Sequence, residues 1–131
     1  VRGIINKSGI INKNITRKEN TIILRKVSND PNVGDFAKTE YFPLKINKDK
    51  NYTLLKVLLH TGRTHQIRVH LAYKHYPILN DQLYGVESPL CIRMGLMADE
   101  LEFYHPLKQE VMTVETDLPN DLGKLYYEVI K

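Results

Sequence analysis

The chain is short of several features that would otherwise steer its interpretation. It has a single cysteine, Cys91, which excludes an internal disulfide and a paired-cysteine metal knuckle. Beside Leu90 and Ile92 that thiol reads as a small apolar filler, and a reducing, cytoplasmic setting is the expectation. Long apolar runs are missing: Leu54-Leu55 and Val57-Leu58-Leu59 fall far below the ~20 residues that span a bilayer. The opening Val1-Arg2-Gly3-Ile4-Ile5-Asn6-Lys7 holds no apolar secretory core and no small-residue cleavage site. It also lacks an initiator Met, which points to a longer parent. Acidic residues are scarce in two places. Glu19 is the only one before Asp30, and none lies between Asp49 and Asp81.

What is present fits a globular chain: 42% hydrophobic and 26% charged residues over 131 positions, enough for one domain or part of a larger one. The net charge is +4, with Arg2, Lys7, Lys13, Arg17, Lys18, Arg25 and Lys26 crowded near the start. Such a stretch either follows a phosphate backbone or forms a solvated loop and edge strand.

Residues 1–20 repeat Gly-Ile-Ile-Asn-Lys, at Gly3–Lys7 and Gly9–Lys13, too briefly for a solenoid. They read as an irregular arm with a short strand at Gly9–Ile11, followed by a strand at Thr21–Lys26. Ser28–Phe36, rich in Asn, Asp, Pro and Gly, is a loop. Lys38–Lys45 and Tyr52–His60 form an antiparallel hairpin across the polar turn Asn47–Asn51. In the second strand, Leu55, Val57 and Leu59 alternate with Leu54 and Leu58, which predicts an interior strand covered on both faces. A helix over Thr64–Lys74 follows, with Thr64 as N-cap and Pro77 beyond its end. Leu96–Tyr104 and Val111–Thr116 read as strands around a turn at His105–Glu110, and Leu118–Leu122 opens a short helix or turn. Hairpins with one helix, and no βαβ units, predict an α+β fold with a mostly antiparallel sheet and one buried helix.

At 100° per residue, Ile67, His70, Leu71 and Lys74 share one helix face, and His65, Arg68, Val69 and Ala72 another. A helix that apolar is buried, so Arg68 requires a negative partner. Spacing alone leaves two readings: a structural salt bridge to Asp81 or another distant acid, or a functional anion. Arg63, His65 and Gln66 lie where strand gives way to helix, where free backbone N–H groups favour phosphate. They either face a phosphate-bearing ligand or, for His65 and Gln66, cap the turn and hold the neighbouring strand. His60, His65, His70 and His75 recur every five residues, which turns successive rings ~140° apart along a helix and argues against a metal site.

Thr61-Gly62-Arg63-Thr64-His65-Gln66-Ile67-Arg68-Val69-His70, Pro77-Ile78-Leu79-Asn80-Asp81 and Tyr84-Gly85 closely resemble the signature of the RluA-type RNA pseudouridine synthases. Ala37–Tyr41, Leu101–Pro106 with Glu110, and Leu118–Leu122 are similar to further segments of that family, in the same order. The departures are His75, Asn80 and Gln109 where the family favours glycine, and Met97 in place of a histidine. His and Asn tolerate left-handed backbone, so the turns at 75 and 80 are expected to keep their shape.

The resemblance implies a partial pseudouridine synthase fold over residues 1–131, the C-terminal portion of a catalytic domain. The family's His-Arg-Leu-Asp nucleophile motif occurs nowhere here, and the resemblance places both it and the family's Lys-x-Tyr motif upstream of these residues, so the N-terminal half of the same protein is the expected partner. The implied activity is isomerisation of specific uridines in structured ribosomal or transfer RNA, without metal or organic cofactor and without a membrane. The rival is a non-catalytic RNA-binding module. Arg68 matches the arginine that lies against the family's catalytic aspartate and is expected to support that nucleophile, with Arg63, His65 and Gln66 on the RNA side. In this chain alone Arg68 should therefore point into an open cleft without a bidentate carboxylate partner, or hold a bound anion where the absent aspartate would lie. A bidentate pair with Asp81 would instead mark a structural bridge.

Overall fold

Residues 1–89 and 93–117, described by the computed structural model, form seven strands and one helix. In chain order these are β1 (Gly9–Asn12), β2 (Ile15–Arg17), β3 (Arg25–Val27), β4 (Lys38–Asn47), β5 (Tyr52–Leu59), α1 (Gln66–Tyr73), β6 (Glu100–His105) and β7 (Glu110–Glu115). All strand pairings between these elements are antiparallel: a sheet in the order β1-β4-β5, and the hairpins β2-β3 and β6-β7. The architecture is α+β, and α1 lies against β3 and β4. No helix among the described residues is long and apolar enough to cross a membrane.

Three apolar clusters hold these elements together. Val69 of α1 packs with Ile15 and Ala37, and Leu71 of α1 packs with Ile11 and Ile78. Tyr52 and Leu79 form the third, with Leu54, Val86 and Met97 around them. The helix is thus wedged between two clusters, as its apolar circumference requires.

Several expectations are corrected. The strand expected over Thr21–Lys26 is confined to Arg25–Val27, and β2 was not anticipated. The β-branched run Ile22-Ile23 is exposed, because the Thr21 hydroxyl accepts bonds from the amides of Ile23 (3.2 Å) and Leu24 (3.4 Å) and bends the chain. The helix starts two residues later than expected. Its N-cap is His65, in left-handed geometry (φ 57°) and without a side-chain cap bond, rather than Thr64. The turn residues His75 (φ 67°), Asn80 (φ 57°) and Gln109 (φ 52°) all adopt the left-handed backbone that glycine would supply. Cys91 and Leu118–Leu122 lie outside the described residues.

The interior strand of the sheet is β4, and β5 lies at the edge. Residues at the chain's beginning cover only the start of that edge, through the Arg2–Tyr52 bridge and the Thr53 amide bonded to the Val1 carbonyl (3.0 Å). Leu54 and Leu55 do pack on opposite sides. Leu58 and Leu59, however, on opposite faces at the far end of the strand, remain 48% and 44% exposed, so cover on both faces gives out at that end among the described residues. An uncovered edge with apolar ends favours strand addition. The chain should therefore self-associate with rising concentration, and Leu58→Lys should reduce this. Sedimentation that stays monomeric across a wide concentration range, with a high melting temperature, would contradict this reading.

Candidate active-site and RNA-facing surface

The segment between β5 and α1 is tied down by Gln66. Its Oε1 accepts from the Thr61 hydroxyl (2.8 Å) and the Arg63 amide (2.9 Å). Its Nε2 donates to the Lys38 carbonyl (3.1 Å) and the Thr39 hydroxyl (2.9 Å). The Thr61 hydroxyl in turn accepts from the Lys38 amide (3.0 Å). Gln66 is buried, and its amide is spent on knotting loop 61–63 to β4. It is therefore removed from the RNA-facing set; the alternative weighed from the sequence, a residue that holds the turn and the neighbouring strand, is what the geometry gives.

Next along α1, Arg68 does not face an open cleft. Its Nε donates to Asp81 Oδ2 (2.9 Å) and its Nη2 to Asp81 Oδ1 (2.7 Å), in a bidentate pair with side chains 18% and 1% exposed. Oδ1 also accepts from the amides of Leu83 (3.0 Å) and Tyr84 (3.2 Å). Burial works to raise the Asp81 pKa, but the guanidinium and the two amides outweigh it and hold the carboxyl below its ordinary value. The hydrogen bond to Asp81 raises Arg68 further. The expectation of an unpartnered guanidinium is overturned: the pair fixes α1 to the loop that follows it, and Arg68 is not retained as a catalytic residue. A carboxylate so buried and so fully bonded is also a poor nucleophile, which makes Asp81 a structural acid.

Glycine is essential to this loop at Gly85. A Cβ there would meet the Ile78 carbonyl oxygen at 2.1 Å and the Asp81 Cβ at 2.6 Å. Left-handed Asn80, the Gly85 amide bonded to the Asp81 carbonyl (2.9 Å), and the close pass at Gly85 together curl residues 78–86 so that Asp81 points back under α1.

The same curl delivers Tyr84, whose role sequence reasoning missed although the Tyr84-Gly85 pair was visible in it. The Tyr84 hydroxyl lies 2.8 Å from His65 Nδ1 and accepts from the Arg25 amide at 2.8 Å. The rings of His65 and Tyr84 meet edge-on at 5.5 Å, and the Arg68 guanidinium carbon sits 5.3 Å from the Tyr84 ring centre. Desolvation, then Arg68 and Arg25, lower the His65 pKa against the pull of Asp81, which favours a neutral imidazole at pH 7. His65 is half-buried and holds a strained left-handed backbone at the mouth of the helix.

Arg63 is exposed and anchored through Nε to the Phe36 carbonyl (2.8 Å). It lines a polar groove with Arg17 and Arg25 of the β2-β3 hairpin. The remaining histidines diverge. His60 pairs with Glu40 (3.0 Å), while His70 is fully buried between Thr39 and the Lys13 carbonyl.

These local features agree with comparison to known proteins. The family model for RNA pseudouridylate synthase matches residues 1–73. An uncharacterised RNA pseudouridine synthase of Aquifex aeolicus is 45% identical over 102 residues, covering 71% of this chain and 32% of that protein. YjbO, an uncharacterised RNA pseudouridine synthase of Bacillus subtilis, is 39% identical over 117 residues, covering 89% of the chain and 40% of the relative. The solved structure of human RNA pseudouridylate synthase domain containing 1 superposes with a TM-score of 0.72 at 27% identity, over 90% of this chain and 51% of that one. The chain therefore belongs to the RNA pseudouridylate synthase family, and its signature places it with the RluA-like members. It spans well under half the length of the curated relatives just described.

Proposed function

We propose that this chain forms part of an RNA pseudouridine synthase that isomerises specific uridines in structured RNA, ribosomal or transfer, in the cytoplasm. The observation that carries this reading is the fold of the 61–70 signature. It makes one hydrogen-bonded loop-and-helix unit that leaves Arg63 and His65 at the surface beside an arginine-lined groove. Among the relatives is a protein named ribosomal large subunit pseudouridine synthase D, from Buchnera aphidicola, 40% identical over 92 residues. Ribosomal RNA is accordingly the first substrate to test.

In this reading the target uridine is flipped out of the RNA. An aspartate from a segment outside this chain helps break the N-glycosidic bond and is regenerated, while uracil is rotated and rejoined to ribose through carbon 5, which gives up its proton as N1 gains one. Arg63 and His65 contact the RNA, Gln66 holds their loop, and the Arg68–Asp81 pair keeps the wall rigid. No metal or organic cofactor takes part.

The test is release of tritium from ribosomal RNA labelled at uridine carbon 5. The full-length protein should release it, and this chain alone should not, because no His-Arg-Leu-Asp aspartate occurs in it. Robust turnover by the isolated chain would overturn these roles. RNA binding by the full-length protein without any release would favour the non-catalytic module.

A further inference from the structure

The groove between the β2-β3 hairpin and the 62–64 turn has a role that the catalytic signature does not explain. Its lining includes Arg17, Arg25, Arg63, Thr64, Gly62 and a single acid, Asp35. We infer that this groove takes consecutive phosphates of an RNA strand and leads it toward His65. The inference rests on the reading just given, that the partner of this surface is RNA.

Charge is the first argument. Arg17 and Arg25 stand directly opposite each other in the β2-β3 register. Like charges in that position repel and weaken a hairpin, and none of the three arginines makes an ion pair among the described residues. A two-stranded hairpin of three residues per strand is a poor place to carry such repulsion unless an anion relieves it.

Donor geometry is the second. Arg25 uses Nη1 alone, on the carbonyls of Ile22 (3.1 Å), Ile23 (3.0 Å) and Leu24 (3.4 Å), and Arg63 uses only Nε. The Arg25 guanidinium is thus held by its own loop and that of Arg63 by the segment before β4, both with further N–H groups left to offer, which suits phosphate oxygens. Several separately held cations along one groove match the repeating charge of a phosphodiester chain better than a single small anion.

Gly62 is the third. Its backbone is not left-handed, and nothing lies within 4 Å of the Cβ it lacks. Neither conformation nor internal packing requires glycine at that point. Its bareness leaves room for a backbone to pass close over it. Finally, the groove is joined to the site: the Arg25 amide donates to the Tyr84 hydroxyl that contacts His65.

The experiment measures binding of fluorescein-labelled oligouridylate to the full-length protein as a function of salt. Each lost phosphate contact should flatten the slope of log Kd against log salt by about 0.7, so Arg17→Gln lowers it by about 0.7 and Arg17→Gln with Arg63→Gln by about 1.4. Gly62→Val should weaken binding at every salt concentration while leaving the melting temperature in place. Unchanged slopes in both arginine variants, with melting temperatures preserved, overturn the groove. Polyglutamate that competes as well as unlabelled oligouridylate overturns the assignment to phosphates. The two readings fail separately. Flattened slopes without tritium release by the wild-type protein leave the groove standing and remove the isomerase, whereas release with unchanged slopes does the reverse.

Discussion

Asp81→Asn should lower the unfolding free energy by about 3–5 kcal/mol, because it leaves the Arg68 guanidinium largely buried without its counter-charge. The loss is large for a chain whose carboxylate holds two elements at once. Asp81 accepts from Arg68 on α1 and from the amides of its own loop at Leu83 and Tyr84. Arg68→Ala should cost a similar amount from the other side, and Arg68→Lys less, since an ammonium keeps the charge but not the planar fork. The pH dependence follows from the lowered Asp81 pKa. Its contribution is complete above the unfolded value of 3.8 and disappears as pH falls through the lower folded value, so wild type and Asp81→Asn should converge in acid. Urea unfolding at pH 7 and at a series of acidic pH values measures both effects. A loss below about 1 kcal/mol, the range of an exposed pair, would show that the bridge is not structural.

A comparable loss is expected at His70, whose ring is inaccessible to solvent. The Lys13 carbonyl can only accept, so Nε2 carries the proton of the neutral ring (2.8 Å), and Nδ1 accepts from the Thr39 hydroxyl (2.8 Å). That hydroxyl accepts from Gln66 Nε2, so the chain of bonds runs from the signature loop through α1 to the N-terminal arm. His70→Leu leaves the Lys13 carbonyl without its donor and the Thr39 hydroxyl, still held by Gln66, without an acceptor, at about 1–3 kcal/mol for each group so deprived. Adding Thr39→Val should restore part of the loss, because removing both members of a buried polar pair is less costly than removing one.

Burial depresses the His70 pKa, opposed by the Lys13 bond. Its contribution is therefore complete above the unfolded value of 6.5 and falls away as pH drops below it. His65 shifts in the same direction. The pH dependence that survives in His70→Leu belongs to it and to the Val1 amino group, whose pKa burial lowers to about 6. Unfolding curves of the two proteins between neutral and mildly acidic pH that differ by a constant offset would refute the assignment to His70.

The sequence by itself determined the family, the β4-β5 hairpin, the helix and the α+β class. Each of these is carried by local order along the chain: period-two apolar alternation, a signature of fixed spacing, and turn residues that tolerate left-handed backbone. His75, Asn80 and Gln109 show how far this reaches, since all three take the geometry of the glycines they stand in for. What local order could not decide was which partner each side chain meets. A buried arginine must find a negative group, but whether that group is Asp81 or something beyond the chain depends on how residues 78–86 curl, and that curl depends on the space at Gly85. The same holds for Gln66, whose amide suits RNA and strand alike until β4 closes over it. It holds for β5 as well: its two apolar faces state that it can be covered on both sides, and only the strand order shows that it lies at an edge. Spacing along a chain specifies what a residue requires, and the tertiary fold decides which of the available groups supplies it.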